Sequence, residues 1–493
     1  MFKRSIQIAL LALAMISVRS LTSAAAEPAP VEPAAAGSSS DEVAPARPEG
    51  ARERPSPAPA VEPGSGEVRA RAADDSLLAT TPLPETVDAS AAPANPPEAE
   101  WMAMASGGEV ALEARAFRPD HRASTKDFGI GLFSRLELKG EQKFLSFVAR
   151  GYARADAEDQ GRSLAVVERL FVDLKSSWLD LRVGADLFDW SATEAFHPAD
   201  IINARNLDGE FERYEKIGEP MAALSLRWDT GSVSAYYFPY RSFPILPSRA
   251  SRLNPFPEGA TVGPFRVLDR KGELSDSRFA AQGALRLVQK LGTTDLSLHV
   301  VHQTDRSELE ILVDPNSPEL HPLLRHVTQF GGTVQTVLEP FVFKLEAAYR
   351  RFSQPRFDSA LSALPNRDHL EVAAGVDYGW LWGSTDSTLY LESQQFLLTN
   401  EPRRQELSAF PHDVLLGYRL AVNDPSDTIF NASAIADTRQ PQQMFFSFGA
   451  DRRIWGGFRL NVAVRFATGI QQWTSLHIPV DYDHVRVSLA RKF

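Results

Sequence analysis

Cysteine is absent from all 493 residues, which together excludes disulfides, thiolate metal sites, lipoprotein processing and a cysteine nucleophile. Long apolar runs are also missing. Beyond the N-terminal stretch no segment approaches the roughly 20 residues a membrane helix needs, so any passage through a bilayer must use strands. Excess basic charge is lacking too. The formal net charge is -11, and about nine of those negatives, on balance, fall between Glu27 and Glu100. An acidity of this kind argues against a nucleic-acid partner.

What is present divides into three parts. Lys3 and Arg4 precede an apolar run from Ile6 to Val18, and Ala24 and Ala26 stand before Glu27 as an Ala-x-Ala cleavage site. Residues 1–26 therefore read as an export signal, too short to span a membrane. Residues 27–107 are rich in Ala, Pro, Glu and Ser, as in Arg54-Pro-Ser-Pro57-Ala-Pro59. That composition cannot bury enough apolar surface to offset its ordering entropy. The expectation is a disordered linker on the periplasmic side, either a plain spacer or a segment that touches peptidoglycan or an inner-membrane partner.

From residue 108 to 493 every second residue tends to be apolar, the period of two-faced strands. Phe458, Leu460, Val462, Val464 and Phe466 alternate with Arg459, Asn461 and Arg465, and Phe341, Phe343, Leu345, Ala347 and Tyr349 with Lys344, Glu346 and Arg350. A soluble sandwich shares this pattern. The links decide. About eighteen candidate strands, the first at 109–117, one at 327–337 and the last at 481–493, are joined by short links such as Asp229 to Gly231 and Glu339-Pro340. These alternate with longer ones, the longest at 188–219 and 239–277. Tight turns at one end and long loops at the other fit an all-β, transmembrane antiparallel barrel of even strand number set in outer-membrane lipid. Val485, Val487, Leu489 and Phe493 share one face of the final segment. That segment resembles the C-terminal signature strand of outer-membrane barrels, and the resemblance implies that Phe493 is the signal read by the barrel-assembly machinery.

If the apolar faces meet lipid, the opposite faces line the lumen. They carry Arg135, Arg150, Arg154, Arg169, Arg182, Arg227, Arg278, Arg286, Arg350, Arg419, Arg459, Arg465 and Arg486. Against these stand fewer carboxylates, Glu137, Asp173, Asp180, Asp186, Glu346, Glu371, Asp377 and Glu392. Two uses are open: guanidinium groups that favour passing anions, or cross-strand charge ladders that brace the wall. In the first long loop, Trp190, Asp200, Asn203 and Arg205 are candidate constriction residues, with Pro198 placed to open a short helix and Gly209 to end the excursion. A solvated surface loop is the other reading. The second long loop offers Arg241, Arg249 and Arg252 among aromatics and prolines, a set suited to acidic sugar rings or to a lid.

Val183-Gly184, Trp190, Asp200, Asn203 and Arg205 together resemble a stretch of porin-like and alginate-export-type outer-membrane proteins, with Ser191 and Ala204 departing from that pattern. The resemblance covers roughly thirty residues. It implies a channel in the outer membrane of a Gram-negative bacterium passing anionic polysaccharide or small anions, with periplasmic or inner-membrane export components as expected partners. A general or anion-preferring diffusion porin is the alternative, and a barrel enzyme or adhesin a second one. No cofactor is implied. His121, His197, His321, His326, His412 and His477 fall in outer loops, but no His pair with a Glu at helical spacing and no Gly-x-Ser-x-Gly elbow occurs. His299 and His369 read as wall residues. A plugged transporter of about 22 strands is disfavoured.

Overall fold

The structure, a computed structural model, describes residues 103–493 apart from 120–123, 211–212, 308, 314–318, 357–363, 409–411 and 470–482. The expected export signal and residues 27–102 of the linker lie outside the described residues, as do His121 and His477.

Among the described residues, eighteen antiparallel strands form one closed sheet. They are β1 (Ala103–Phe117), β2 (Phe128–Gln142), β3 (Leu145–Asp156), β4 (Leu164–Lys175), β5 (Leu179–Asp186), β6 (Glu219–Trp228), β7 (Gly231–Tyr240), β8 (Phe279–Leu291) and β9 (Thr294–Thr304). There follow β10 (Glu319–Leu338), β11 (Phe341–Phe352), β12 (His369–Trp382), β13 (Thr385–Leu397), β14 (His412–Ala421), β15 (Ile429–Asp437), β16 (Met444–Trp455), β17 (Phe458–Thr468) and β18 (His484–Lys492). Closure is made by β1 on β18, in register from Glu109 opposite Lys492 to Phe117 opposite His484. Every strand thus has two partners, and no sheet edge is left to face lipid.

Alternation explains both faces. On β11, Phe341, Phe343 and Leu345 are exposed on the outside, while Lys344, Glu346 and Arg350 are buried inside. Exposed leucines, valines and phenylalanines cover the outer surface of the sheet, and Phe144, Trp178, Trp228, Trp382 and Trp455 cluster where the short turns lie. An apolar band with an aromatic girdle is the surface a bilayer selects. The turns are tight because their residues permit it: Gly456 and Gly457 carry φ of 48° and 81° between β16 and β17, values that a Cβ disfavours.

Three departures from the sequence expectation have physical causes. The first strand starts at Ala103, so residues 103–107 belong to the barrel wall and not to the linker; they pair with Lys139 to Glu141 and their neighbours on β2. The strand expected from 327 starts at Glu319, because its upper part gains partners from the loops: Thr261–Val262 and Arg266–Leu268 run parallel to it and Glu310–Val313 antiparallel. Finally, β4 carries a bulge. Arg150 stands opposite Arg169 and Gly151 opposite Val167, leaving Glu168 as the extra residue. A bulge resets the alternation, so Glu168 and Arg169 both turn inward.

Candidate functional site

The lumen wall is charged, and most of its arginines are matched by acids. Glu168, turned in by the bulge, accepts from Arg135 Nε at 2.9 Å and Nη2 at 3.0 Å and from Arg150 Nε at 2.8 Å. Arg182 grips Asp173 with Nε at 2.6 Å and Nη2 at 2.8 Å and also meets Asp186, which Arg169 approaches at 3.3 Å. Arg154 meets Glu215 at 2.8 Å, Arg227 meets Asp180 at 2.8 Å, and Arg350 meets Glu371 at 3.2 Å. Near the seam, Arg459 pairs with Asp451 and Asp427, and Arg486 with Glu113 at 3.7 Å and Asn461 at 2.9 Å. Arg465 is buried on β17. Arg286 bonds Ser297 and lies over the Trp190 ring, Arg278 lies over the Phe243 ring, and Arg419 is half-buried with no carboxylate partner among the described residues.

This corrects the expected arginine surplus. Glu109, Glu113, Glu168, Glu215 and Asp451, absent from the acids read out of the sequence, all serve wall arginines. Bidentate pairs on adjacent strands stiffen a sheet, and a guanidinium group neutralised at 3 Å contributes little net positive potential to the lumen.

The segment between β5 and β6 folds into the barrel. Residues 187–204 hold no helix at Pro198; Gly209 lies in the short strand Arg205–Glu210 that pairs with Arg213–Lys216. The helix expected there is replaced by anchoring to the wall. Glu346 on β11 accepts the backbone N–H groups of Ala192, Thr193 (2.8 Å) and Ala199 (3.2 Å) and the Thr193 hydroxyl at 2.7 Å. Glu392 on β13 accepts those of Glu194 at 2.6 Å and Ala195 at 2.9 Å. Two carboxylates thus satisfy donors that a helix would have used internally. Carbonyl groups of the same segment are met by Gln329 at Ala199, Gln303 at Ile201, Arg306 at Ile202 and Arg350 at Pro198. Ile201 and Ile202 pack with Phe188, Trp190, Met221, Phe238 and Val301, whereas Phe196 packs with Tyr390, Leu415 and Phe445.

The four candidate constriction residues sit at the roots of this inward fold. Asn203 takes the Phe188 N–H at 2.7 Å and donates to the carbonyls of Asp186 at 3.0 Å and Ile217 at 2.8 Å, fastening both ends of the excursion. Asp200 is buried between Lys216 at 2.9 Å and Arg205 at 3.2 Å; these cations hold its carboxyl below the usual carboxylate range against the cost of burial. Trp190 is buried between Phe188, His299 and Arg286. Gly184, just before the loop, adopts φ 141°, and a Cβ there would collide with the Leu170 carbonyl. In the second long loop, Arg241 is buried and donates to the Ser277 carbonyl at 2.7 Å, Arg252 is buried against Asp127, and Arg249 is exposed. His299 and His369 lie on the inner face, bonded to Gln329 at 2.9 Å and the Arg367 carbonyl at 2.7 Å. Phe493 exchanges backbone hydrogen bonds with Gly108 at 2.9 and 3.0 Å.

The tip of the loop carries a pH dependence. Lys344 reaches both Glu194 and Asp377, and one ammonium cannot neutralise two half-buried carboxylates. Burial therefore pushes the Glu194 carboxyl up to about 7 despite the lysine. A carboxyl whose pKa is raised in the docked state binds its proton there more readily than when released. Docking is thus strongest in acid and weakens as pH rises from the ordinary glutamate range through about 7. Hydrogen exchange at residues 192–199 is expected to be slower at pH 6 than at pH 8 after correction for intrinsic rates, and Glu194→Gln should reduce that difference. An undiminished difference in Glu194→Gln removes Glu194 from the effect.

Among solved structures the chain is similar to engineered variants of a porin from Rhodopseudomonas blastica. One aligns over 79% of this chain and 100% of its own at 12% identity with a TM-score of 0.38. Another aligns over the same shares at 11% identity with a TM-score of 0.37. No family model matches the chain, and no curated protein matches it.

Proposed function

We propose that this barrel is an outer-membrane diffusion channel for small polar solutes, with its bore set by the segment 187–204. The supporting observation is that segment, tied to the inner wall by Glu346 and Glu392 inside an eighteen-stranded closed sheet, whose size suits an aqueous lumen more than a packed core. The short turns lie in the periplasm and the long loops outside, and the N-terminal segment hangs in the periplasm. The wall favours neither ion sign strongly, because most of its arginines are matched by carboxylates.

Export of an acidic polysaccharide with periplasmic or inner-membrane components would call for unpaired guanidinium groups along the path and a bore without an anchored inner segment. Small-solute diffusion is favoured by the anchored segment and by the pairing of most wall arginines with acids. Planar-bilayer recording of the purified protein is expected to show discrete open-channel steps and a permeability ratio of anions to cations within a few-fold of unity. A barrel that never conducts overturns the proposal; a strong anion preference would return the arginines to the centre of the mechanism.

A further inference from the structure

The outward faces of β9, β10 and β11 are apolar until their long-loop ends, where they turn basic. Val300, Phe330 and Tyr349 stand side by side in the register as part of the lipid-facing band. Two residues further, roughly 6–7 Å along the strands, the same row reads His302, Thr328 and Arg351. His302 Nδ1 and Thr328 Oγ1 lie 2.8 Å apart, and the His302 and His326 ring centroids 4.2 Å apart. Arg351 is exposed. The loop hairpin Arg266–Leu268 with Leu274–Ser275 brings a second exposed guanidinium, Arg270, within electrostatic reach of both rings. Neither Arg270 nor Arg351 has a carboxylate partner among the described residues.

The nearby acidic groups are already engaged. Asp269 accepts the N–H groups of Lys271 at 2.8 Å and Glu273 at 3.0 Å within its own turn, and Glu273 pairs with Arg356 at 2.7 Å. What remains is a pair of free guanidinium groups with a hydroxyl and two imidazoles, on the outside of the wall at the edge of the apolar band. This contrasts with the lumen, where most arginines have an acid. Such a patch lies at headgroup depth, outside the permeation path, and a planar donor fork matches a phosphate monoester.

We infer that the patch around Arg270 and Arg351 docks the phosphate of a phosphorylated saccharolipid in the outer leaflet. The site goes beyond the channel reading and shares with it only the membrane orientation. Full-length protein in detergent is titrated with bis-phosphorylated lipid A, with its dephosphorylated form and with inorganic phosphate, and bound lipid is counted by native mass spectrometry. Phosphorylated lipid is expected to bind at least about tenfold more tightly than the dephosphorylated form. The double variant Arg270→Gln/Arg351→Gln should lose that preference, whereas Arg453→Gln, an exposed arginine at the short-turn end, should keep it. Equal binding of both lipids, or a double variant that retains the preference, overturns the site; displacement of the lipid by millimolar inorganic phosphate would reassign it to the free ion. Conductance of the double variant should be unchanged, which keeps this test separate from that of the channel.

Discussion

Replacing Glu346 by alanine is expected to raise single-channel conductance severalfold, because the carboxylate is the main attachment of the inner segment to the wall. Its oxygens accept three backbone N–H groups and the Thr193 hydroxyl in a buried site. Each donor left unsatisfied costs about 1–3 kcal/mol, and the losses do not add fully. A penalty of about 3–6 kcal/mol against docking follows from that range, enough to leave residues 192–199 largely detached. Glu346→Ala/Glu392→Ala should release the segment further, since Glu392 holds the next two N–H groups. The barrel itself should persist, with heat-resistant migration in gels retained. Unaltered conductance in the double variant would show that the segment does not set the bore.

Arg306→Ala is expected to cost the folded barrel about 3–5 kcal/mol, the range for stripping one partner from a buried ion pair. The Arg306 guanidinium and Glu219 carboxylate meet at 2.7 Å with both side chains 0% exposed. Arg306 also donates to the carbonyls of Ile202 at 2.6 Å and Ser242 at 2.9 Å, joining the inner segment to the second long loop. Loss of the arginine strands a carboxylate without water. The double variant Arg306→Met/Glu219→Gln removes both charges and should recover much of the loss, whereas Arg306→Met alone should not. The temperature at which the barrel loses its compact gel migration is the readout. Equal destabilisation by the single and double variants would mean that the carbonyl contacts, not the stranded charge, carry the effect.

Much of this architecture is legible in the sequence because lipid enforces a strict rule. One face of every strand must be apolar, so Phe341, Phe343 and Leu345 on one side and Lys344, Glu346 and Arg350 on the other declare the wall without knowledge of any partner. What alternation does not contain is register. Arg135 and Glu168 meet only because a bulge on β4 turns Glu168 inward, and counting by twos from Asp173 directs Glu168 toward lipid. The arginine lumen is therefore readable, but its neutralisation is not. The same holds for the inner segment. Pro198 marks a plausible helix start by local chemistry, yet the N–H groups around it are claimed by Glu346 and Glu392 from strands some 150 and 200 residues away in the chain. Buried carboxylates on a lumen face with no arginine across the strand are the one signal that points to such an anchor.

The seam between β1 and β18 has a consequence for how the barrel is made. Glu109 is opposite Lys492, so the first wall strand finds its second neighbour only after every other strand has been delivered. Until then β1 is a bare edge with unpaired N–H and C=O groups, a template for any other strand it meets. Closure of so distant a pair is also slow. A newly made chain must therefore be held apart from its siblings throughout delivery, and the period before the seam forms is when aggregation threatens it most.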